Sequence, residues 1–339
     1  MRGERYKKKG KKKSEEKKRK GVKKNQIFFD FLYGEEYNRV RLLFDFCIMS
    51  EILSPAEITE TSSAVGVEKT HKPWYKIAIN GILAGMFIGI GAMFSINSIS
   101  GLEALPYGAV KAISGLAFSI GLILVMVAGS ELFTGDALII TSRLDKKNSL
   151  KERFKNLGII WIANFVGALI LIALLVGAKW YDFDHGGIAD TILNLGVKKV
   201  HYGRWQALFL GILCNILVCL GVWLSWAGKR LSDKILGIIF PVTAFVACGF
   251  EHSVANMFYL PFAYVLKIMG FGGEGVSDIT LGNIFWGNLL PVSIGNLIGG
   301  AVFVGLLYWI LYHKEKGTEK KGKRNKIRGK RYGKKGEGK

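Results

Sequence analysis

The sequence predicts an all-α membrane protein: six transmembrane helices in a 3+3 inverted repeat, with the second and fifth helices broken at the membrane midplane. Three observations carry that expectation. Six apolar segments, roughly 75–98, 109–141, 156–178, 206–227, 235–268 and 283–312, each approach or exceed the ~20 residues needed to cross a ~30 Å hydrocarbon core. The second and fifth are too long for one plain span, and both have polar residues at their centres. Short strings also recur between the two halves in the same order.

Composition divides the chain into three regions. It has 339 residues, is 50% hydrophobic and carries a formal net charge of +21. Residues 1–25 hold 14 Lys/Arg against 3 Asp/Glu, and residues 314–339 hold 13 against 3, so the charge lies in the two tails and the body is neutral. Tails of this composition bury too little apolar surface to order themselves. The expected organisation is therefore a basic, largely disordered extension and pre-helix segment (1–72), a six-span transporter domain (73–313) and a basic disordered tail (314–339). Met49 opens a stretch that reads as an ordinary polar N-terminus, which makes residues 1–48 an extension. The Lys-rich start does not run directly into an apolar stretch and does not read as a signal peptide.

The elements follow in order. The first segment carries Gly81, Gly85, Gly89 and Gly91, a small-residue face suited to close helix packing. "GSELFTGD" (129–136) interrupts the second segment, and "GFEHSVAN" (249–256) interrupts the fifth with the same Gly-x-Glu opening and an acidic or amide residue five positions after the Glu. "ANFVGALI" (163–170) in the third pairs with "GNLIGGAV" (295–302) in the sixth, and "GILA" (81–84) in the first with "GILC" (211–214) in the fourth. Each half has three spans, so the second half must enter the membrane inverted, an arrangement typical of transporters. The loops at 143–155 ("RLDKKNSLKERFK") and 227–234 ("AGKRLSDK") are basic, whereas those near 99–108 and 270–282 carry only Glu103, Glu274 and Asp278. The 179–205 loop is mixed. Basic loops stay cytoplasmic, so a multi-pass protein of the cell membrane with both termini on the cytoplasmic side is expected, in agreement with the basic tails.

Charged and titratable groups inside apolar segments are costly and mark functional positions. Glu251 and His252 lie at the centre of the fifth segment. Adjacent helical positions point about 100° apart, so the two do not share a face. An isolated His in an apolar run is usually a satisfied core residue; the Gly-flanked break weighs against that here. Thr134 holds the matching break and reads equally as a Thr bonded to its own backbone. Asn215 is an amide in an otherwise apolar span and must find partners, either as interhelical glue or at the site. Lys199 precedes the fourth span, where a solvated surface charge is the plain alternative.

Other classes fit less well. Adjacent Glu-His lacks the i, i+3 or i, i+4 spacing of a helical metal site. Cys47, Cys214, Cys219 and Cys248 form no CxxC pair, so neither a metal nor another cofactor is expected. The tails lack the interleaved aromatics of a nucleic-acid-binding segment and suit anionic lipid headgroups better.

The strings "AGSELFTGD", "GILCNILVCLGVWLS", "ACGFEHSVANMF" and "GNLLPVSIGNLIGGAVFVGLLYW" resemble the formate/nitrite transporter family, over about residues 70–313. The resemblance implies a homopentamer of aquaporin-like protomers, each with its own pore, and no enzyme activity. It implies that His252 lines the pore and passes a proton to the anion, that Glu251 supports the broken loop, and that Thr134 offers a pore hydroxyl opposite His252. By the same resemblance Asn215 orients His252, Lys199 draws anions into the vestibule, and Phe118, Leu122, Val218 and Phe245 form apolar constrictions. Such a ring excludes hydrated ions and favours a neutral permeant. Formate is the first expected substrate, with nitrite and hydrosulfide as alternatives. The half-helix ends at both breaks are expected to offer backbone donors to the anion. The tails depart from the family pattern, and Asp136 adds an acidic group just past the second-segment break.

Overall fold

The computed structural model describes residues 52–102 and 104–313. The tail readings, the Met49 start, Cys47 and Glu103 fall outside the described residues. All regular structure among the described residues is helical.

The first helix among the described residues, α1 (Pro55–His71), starts at a capping box: the Ser54 side chain accepts from Glu57 N, and the Glu57 carboxylate accepts from Ser54 N. Helix α2 (Trp74–Ile99) and α3 (Tyr107–Ala128) follow, then the short α4 (Phe133–Asp136), a 3₁₀ turn and α5 (Ile140–Leu144). Helix α6 (Leu150–Gly177) opens on a second capping box, Ser149 with Glu152. Two 3₁₀ turns lead into α7 (Gly187–Val200), then α8 (Arg204–Ala227), α9 (Leu231–Ala247) and α10 (Ser253–Ile268). The last helix among the described residues, α11 (Asn283–Tyr312), contains two π-helical stretches.

Helices α2, α3, α6, α8 and α11 are long and apolar enough to cross a membrane; α10 is apolar but shorter. The second apolar segment is α3 followed by a non-helical stretch at residues 129–132 and the short α4. The fifth is divided into α9 and α10 by residues 248–252. Both interruptions carry a glycine in the left-handed region at or next to their first residue, Gly129 at φ 79° and Gly249 at φ 71°, a conformation a side chain would resist.

Helix α2 packs between α3 and α6, α8 packs between α9 and α11, and α3 packs on α9. Small residues make the closest approaches possible. A Cβ at Gly85 would collide with the Asn164 carbonyl, and one at Gly167 with the Ile82 carbonyl. Gly295 and Gly299 approach the Leu208 and Ile212 carbonyls in the same way. Burial repeats along the chain. Ile58, Thr59, Ser62, Ser63 and Gly66 are buried in α1, and Ile188, Ala189, Ile192, Leu193 and Gly196 at the same spacing in α7. Ile77, Gly81, Ala84, Gly85 and Ile88 in α2 match Ala207, Gly211, Cys214, Asn215 and Val218 in α8.

Two expectations need correction. The 179–205 region is mostly ordered helix: α7 buries an apolar stripe against α10, and that tertiary packing stabilises a short helix with weak intrinsic tendency. The body also starts before residue 73. Helix α1 packs on α5 and belongs to the compact unit that begins at Ile52. Many large apolar side chains on the long helices, among them Leu174, Phe209, Ile310 and Leu311, are exposed. Water is a poor neighbour for such a surface, and lipid or another apolar surface suits it.

Candidate functional site

The two interruptions are held by the same hydrogen-bond device. Phe133 N donates to Asn164 Oδ1 at 3.0 Å, while Asn164 Nδ2 donates to the carbonyls of Gly81 (2.8 Å) and Glu131 (3.0 Å). In the other half Ser253 N donates to Asn296 Oδ1 at 2.9 Å, and Asn296 Nδ2 donates to the carbonyls of Gly211 (2.8 Å) and Glu251 (3.0 Å). Glu131 N donates to Asn80 O and Glu251 N to Leu210 O, both at 3.3 Å. Each fully buried Asn thus satisfies backbone groups that a broken helix leaves without helical partners.

Each interruption also carries a buried Glu paired with Lys. Glu251 Oε1 lies 2.7 Å from Lys199 Nζ, and Glu251 Oε2 accepts from Asn256 Nδ2 (2.6 Å) and Asn288 Nδ2 (3.2 Å). Glu131 pairs with Lys69 at 2.5 Å and Lys72 at 3.0 Å. Lys69 also reaches Asp136 at 2.5 Å. Lys199 is therefore not the solvated surface charge of the plain alternative; its ammonium is held by Glu251.

His252 and Thr134 join the halves. Thr134 Oγ1 lies 2.8 Å from His252 Nε2. His252 Nδ1 accepts from Ala255 N at 3.0 Å, capping α10. An imidazole nitrogen that accepts a backbone N–H carries no proton, so in the neutral ring the proton sits on Nε2 and is directed at the Thr134 hydroxyl. Glu251 and His252 diverge as expected, one toward Lys199 and the other toward Thr134. Phe245 stacks on the His252 ring with centroids 5.8 Å apart, and Phe118 meets Phe245 edge-on at 5.8 Å.

Two cavities flank this junction. One, of about 80 Å³, is lined by His252, Lys199, Lys198, Lys111, Phe118 and Phe245. The other, of about 170 Å³, is lined by Lys69, Lys72, Glu131, Asp136, Leu122 and Val222. Phe118 and Leu122, one turn apart on α3, thus line different cavities. Val218 is buried but lines neither of these two; Val222, one turn along α8, does.

Two expected roles change. Asn215 Nδ2 spends its two hydrogens on the carbonyls of Thr134 (3.0 Å) and Asn296 (2.5 Å), and both His252 ring nitrogens are engaged elsewhere. Asn215 therefore positions Thr134 and does not bond His252. The backbone donors expected to face an anion are also fewer. Phe133 N, Ser253 N and Ala255 N are already bonded to side chains, because a buried N–H takes a partner within the protein where one is available.

The sequence reading missed Asn164, Asn296, Lys69 and Glu131. Both Asn residues stand inside the matched strings "ANFVGALI" and "GNLIGGAV", and Glu131 inside "GSELFTGD". A polar residue retained in each copy of an apolar repeat was the available signal. Lys69 had none beyond its place in a polar stretch.

A family model described as formate/nitrite transporter matches residues 56–310. The chain is 37% identical over 274 residues to the formate channel FocA of Escherichia coli strain K12, covering 78% of this chain and 96% of that protein. It is 38% identical over 282 residues to a probable formate transporter of Methanothermobacter thermautotrophicus, covering 78% and 99%. A solved structure described as a pentameric formate channel with formate bound superposes with a TM-score of 0.66 at 38% identity, covering 71% of this chain and 98% of that one. These relatives are named as channels and transporters, not enzymes, and the apolar helices are those of an integral membrane protein. The chain belongs to the formate/nitrite transporter family.

Proposed function

We propose that this protein carries formate across the cell membrane through a pore in each protomer, with His252 relaying the proton that lets neutral formic acid pass the apolar constriction. The observation that carries the reading is the placement of His252, whose Nδ1 accepts from Ala255 N at 3.0 Å while its Nε2 lies 2.8 Å from Thr134 Oγ1 where the two interrupted segments meet. In the relay, His252 takes a proton at Nδ1, releasing Ala255 N, and gives its Nε2 proton to a formate oxygen. The ring is then neutral with its proton on Nδ1. Nε2 then takes a proton from water and Nδ1 returns its own to water, so that Ala255 N again donates to Nδ1 and the ring is reset to Nε2–H. Phe118 and Phe245 on one side of His252, and Leu122 and Val218 on the other, form the apolar constrictions that disfavour a charged permeant. Lys199 attracts the anion and Glu251 keeps Lys199 in place; Asn215 holds the Thr134 carbonyl.

The paired Asn and Glu–Lys arrangements support a 3+3 inverted repeat, with the second and fifth of six spans broken near the midplane. The basic loops support a cytoplasmic position for both termini, and the composition of the Lys-rich tails suits anionic lipid headgroups there. The exposed apolar helix faces and the pentameric relative support a homopentamer.

Uptake of labelled formate into proteoliposomes tests the reading. Wild type is compared with His252→Phe, with and without an inward proton gradient, and with nitrite and hydrosulfide as competitors. Gradient-stimulated formate uptake that His252→Phe loses is the expected result. Equal uptake by both proteins removes the relay. Preference for a competitor reassigns the substrate within the family.

A further inference from the structure

The two cavities differ in charge, and the difference centres on one residue. In the cavity of Lys199 the position five after the central Glu is Asn256, whose Nδ2 donates to Glu251 Oε2 at 2.6 Å. In the cavity of Lys69 the same position is Asp136. Its side chain is buried, one oxygen lies 2.5 Å from Lys69 Nζ, and the other has no hydrogen-bond partner. Lys69 thus bridges two buried carboxylates, Asp136 and Glu131. The charged side chains lining this cavity cancel: Lys69 and Lys72 against Glu131 and Asp136. Those lining the other sum to a positive charge, Lys111, Lys198 and Lys199 against Glu251.

Resting on the anion-transport reading above, we infer that Asp136 is a proton-binding regulator of anion entry: protonated, it leaves the Lys69 cavity net positive and open to anions; ionised, it leaves the cavity neutral. Glu131 contacts both Lys69 and Lys72, whereas Asp136 contacts Lys69 alone, so Asp136 is the carboxylate the lysines compensate least. Protonation also gives Asp136 an O–H where Asn256 has an N–H, so the two halves become alike. The groups that face Asp136 are Lys69 from α1, Lys72 just after α1, Glu131 on its own loop, Arg153 from α6, whose Nη2 donates to the Asp136 carbonyl at 3.4 Å, and the Cys219 thiol of α8. Arg153 is spent on backbone carbonyls and Ser142. Protonation takes a carboxylate from Lys69, and the positive charge it unmasks is shared by Lys69 and Lys72, which both still contact Glu131.

The test is equilibrium exchange of labelled formate across proteoliposomes with equal pH on both sides, comparing wild type with Asp136→Asn. The ratio of mutant to wild type removes formate's own protonation. At mildly alkaline pH the mutant should exchange about two- to threefold faster, the effect of one unit charge ~8 Å away in a water-like dielectric. The ratio should fall to one in mild acid. A ratio that does not change with pH overturns the inference. A second arm needs neither transport nor a mutant: infrared spectra of wild type on mild acidification. Asp136 is the single buried aspartate among the described residues, and exposed aspartates stay ionised until stronger acid. A carboxylic-acid carbonyl band that shifts on ¹³C-aspartate labelling should appear; its absence overturns the inference even if Asp136→Asn fails to assemble. A wild type that exchanges no formate strikes at the transport reading alone, and the infrared arm still decides whether Asp136 binds the proton.

Discussion

The Lys69 half and the Lys199 half solve the same physical problem with different charges. Each interrupts a helix in an apolar surround, and each pins the loop with one Asn that bonds three backbone groups. Each places a Glu where a Lys from a short peripheral helix, α1 or α7, can pair with it. The backbone device is common to both halves because unsatisfied backbone is expensive wherever a helix breaks. The side chains facing the cavities are free to differ. One half presents His252 and a neutral Asn256; the other presents a charged Asp136. The shared parts therefore read as architecture and the differing parts as function.

If the Asn device is common, breaking either copy should cost about the same. Asn296→Ala leaves Ser253 N and the Gly211 and Glu251 carbonyls without their bonds, about 4 kcal/mol for three buried groups. Asn164→Ala should match it within about 1 kcal/mol, both read by denaturant unfolding in detergent. A large inequality would mean that the halves are not equivalent.

The Glu residues should behave unequally. Glu251→Gln leaves Lys199 without a carboxylate and should cost about 3 kcal/mol, as expected for half of a buried pair. Glu131→Gln leaves Lys69 with Asp136 and should cost about 1 kcal/mol. The same unfolding series reads both, and equal losses would show that Asp136 does not hold Lys69.

Thr134→Val removes the acceptor of the His252 Nε2–H. A loss of about 1 kcal/mol in stability is expected, the worth of one hydrogen bond, together with a loss of gradient-stimulated formate uptake. Uptake unchanged in this variant would take Thr134 out of the pathway.

The smallest effect concerns the rim. A hydrogen bond from His201 holds the Asp278 carboxyl below the usual carboxylate range. A carboxyl so held contributes stability above its unfolded pKa and loses it as pH falls through the folded value. Asp278→Asn should therefore lower the thermal midpoint slightly at neutral pH and not at all in strong acid, where the wild type has already lost the contribution.

Much of this was legible in the sequence. The apolar segments mark the long helices because period and length report directly on bilayer depth. Thr134, Glu251 and His252 were legible because polar residues inside such segments need a reason. Helices α1 and α7 were not: short amphipathic helices owe their stability to packing, which a local pattern does not report. The bonds of Lys69 to Asp136 and of Asn215 to the Thr134 carbonyl join residues far apart in the chain. Val218 shows the limit on constriction residues, since residues one turn apart on a helix face both read as apolar core.

The central claim is that His252 stands as a proton donor at the junction of the halves. Solid-state ¹⁵N NMR of histidine-labelled protein in bilayers tests it most directly, with His252→Phe identifying the resonances. At neutral pH, without a proton gradient, the predicted result is a neutral ring with Nε2 protonated and Nδ1 bare. A ring with its proton on Nδ1 would contradict the account, because Nδ1 could not then accept from Ala255 and nothing would aim a proton at Thr134.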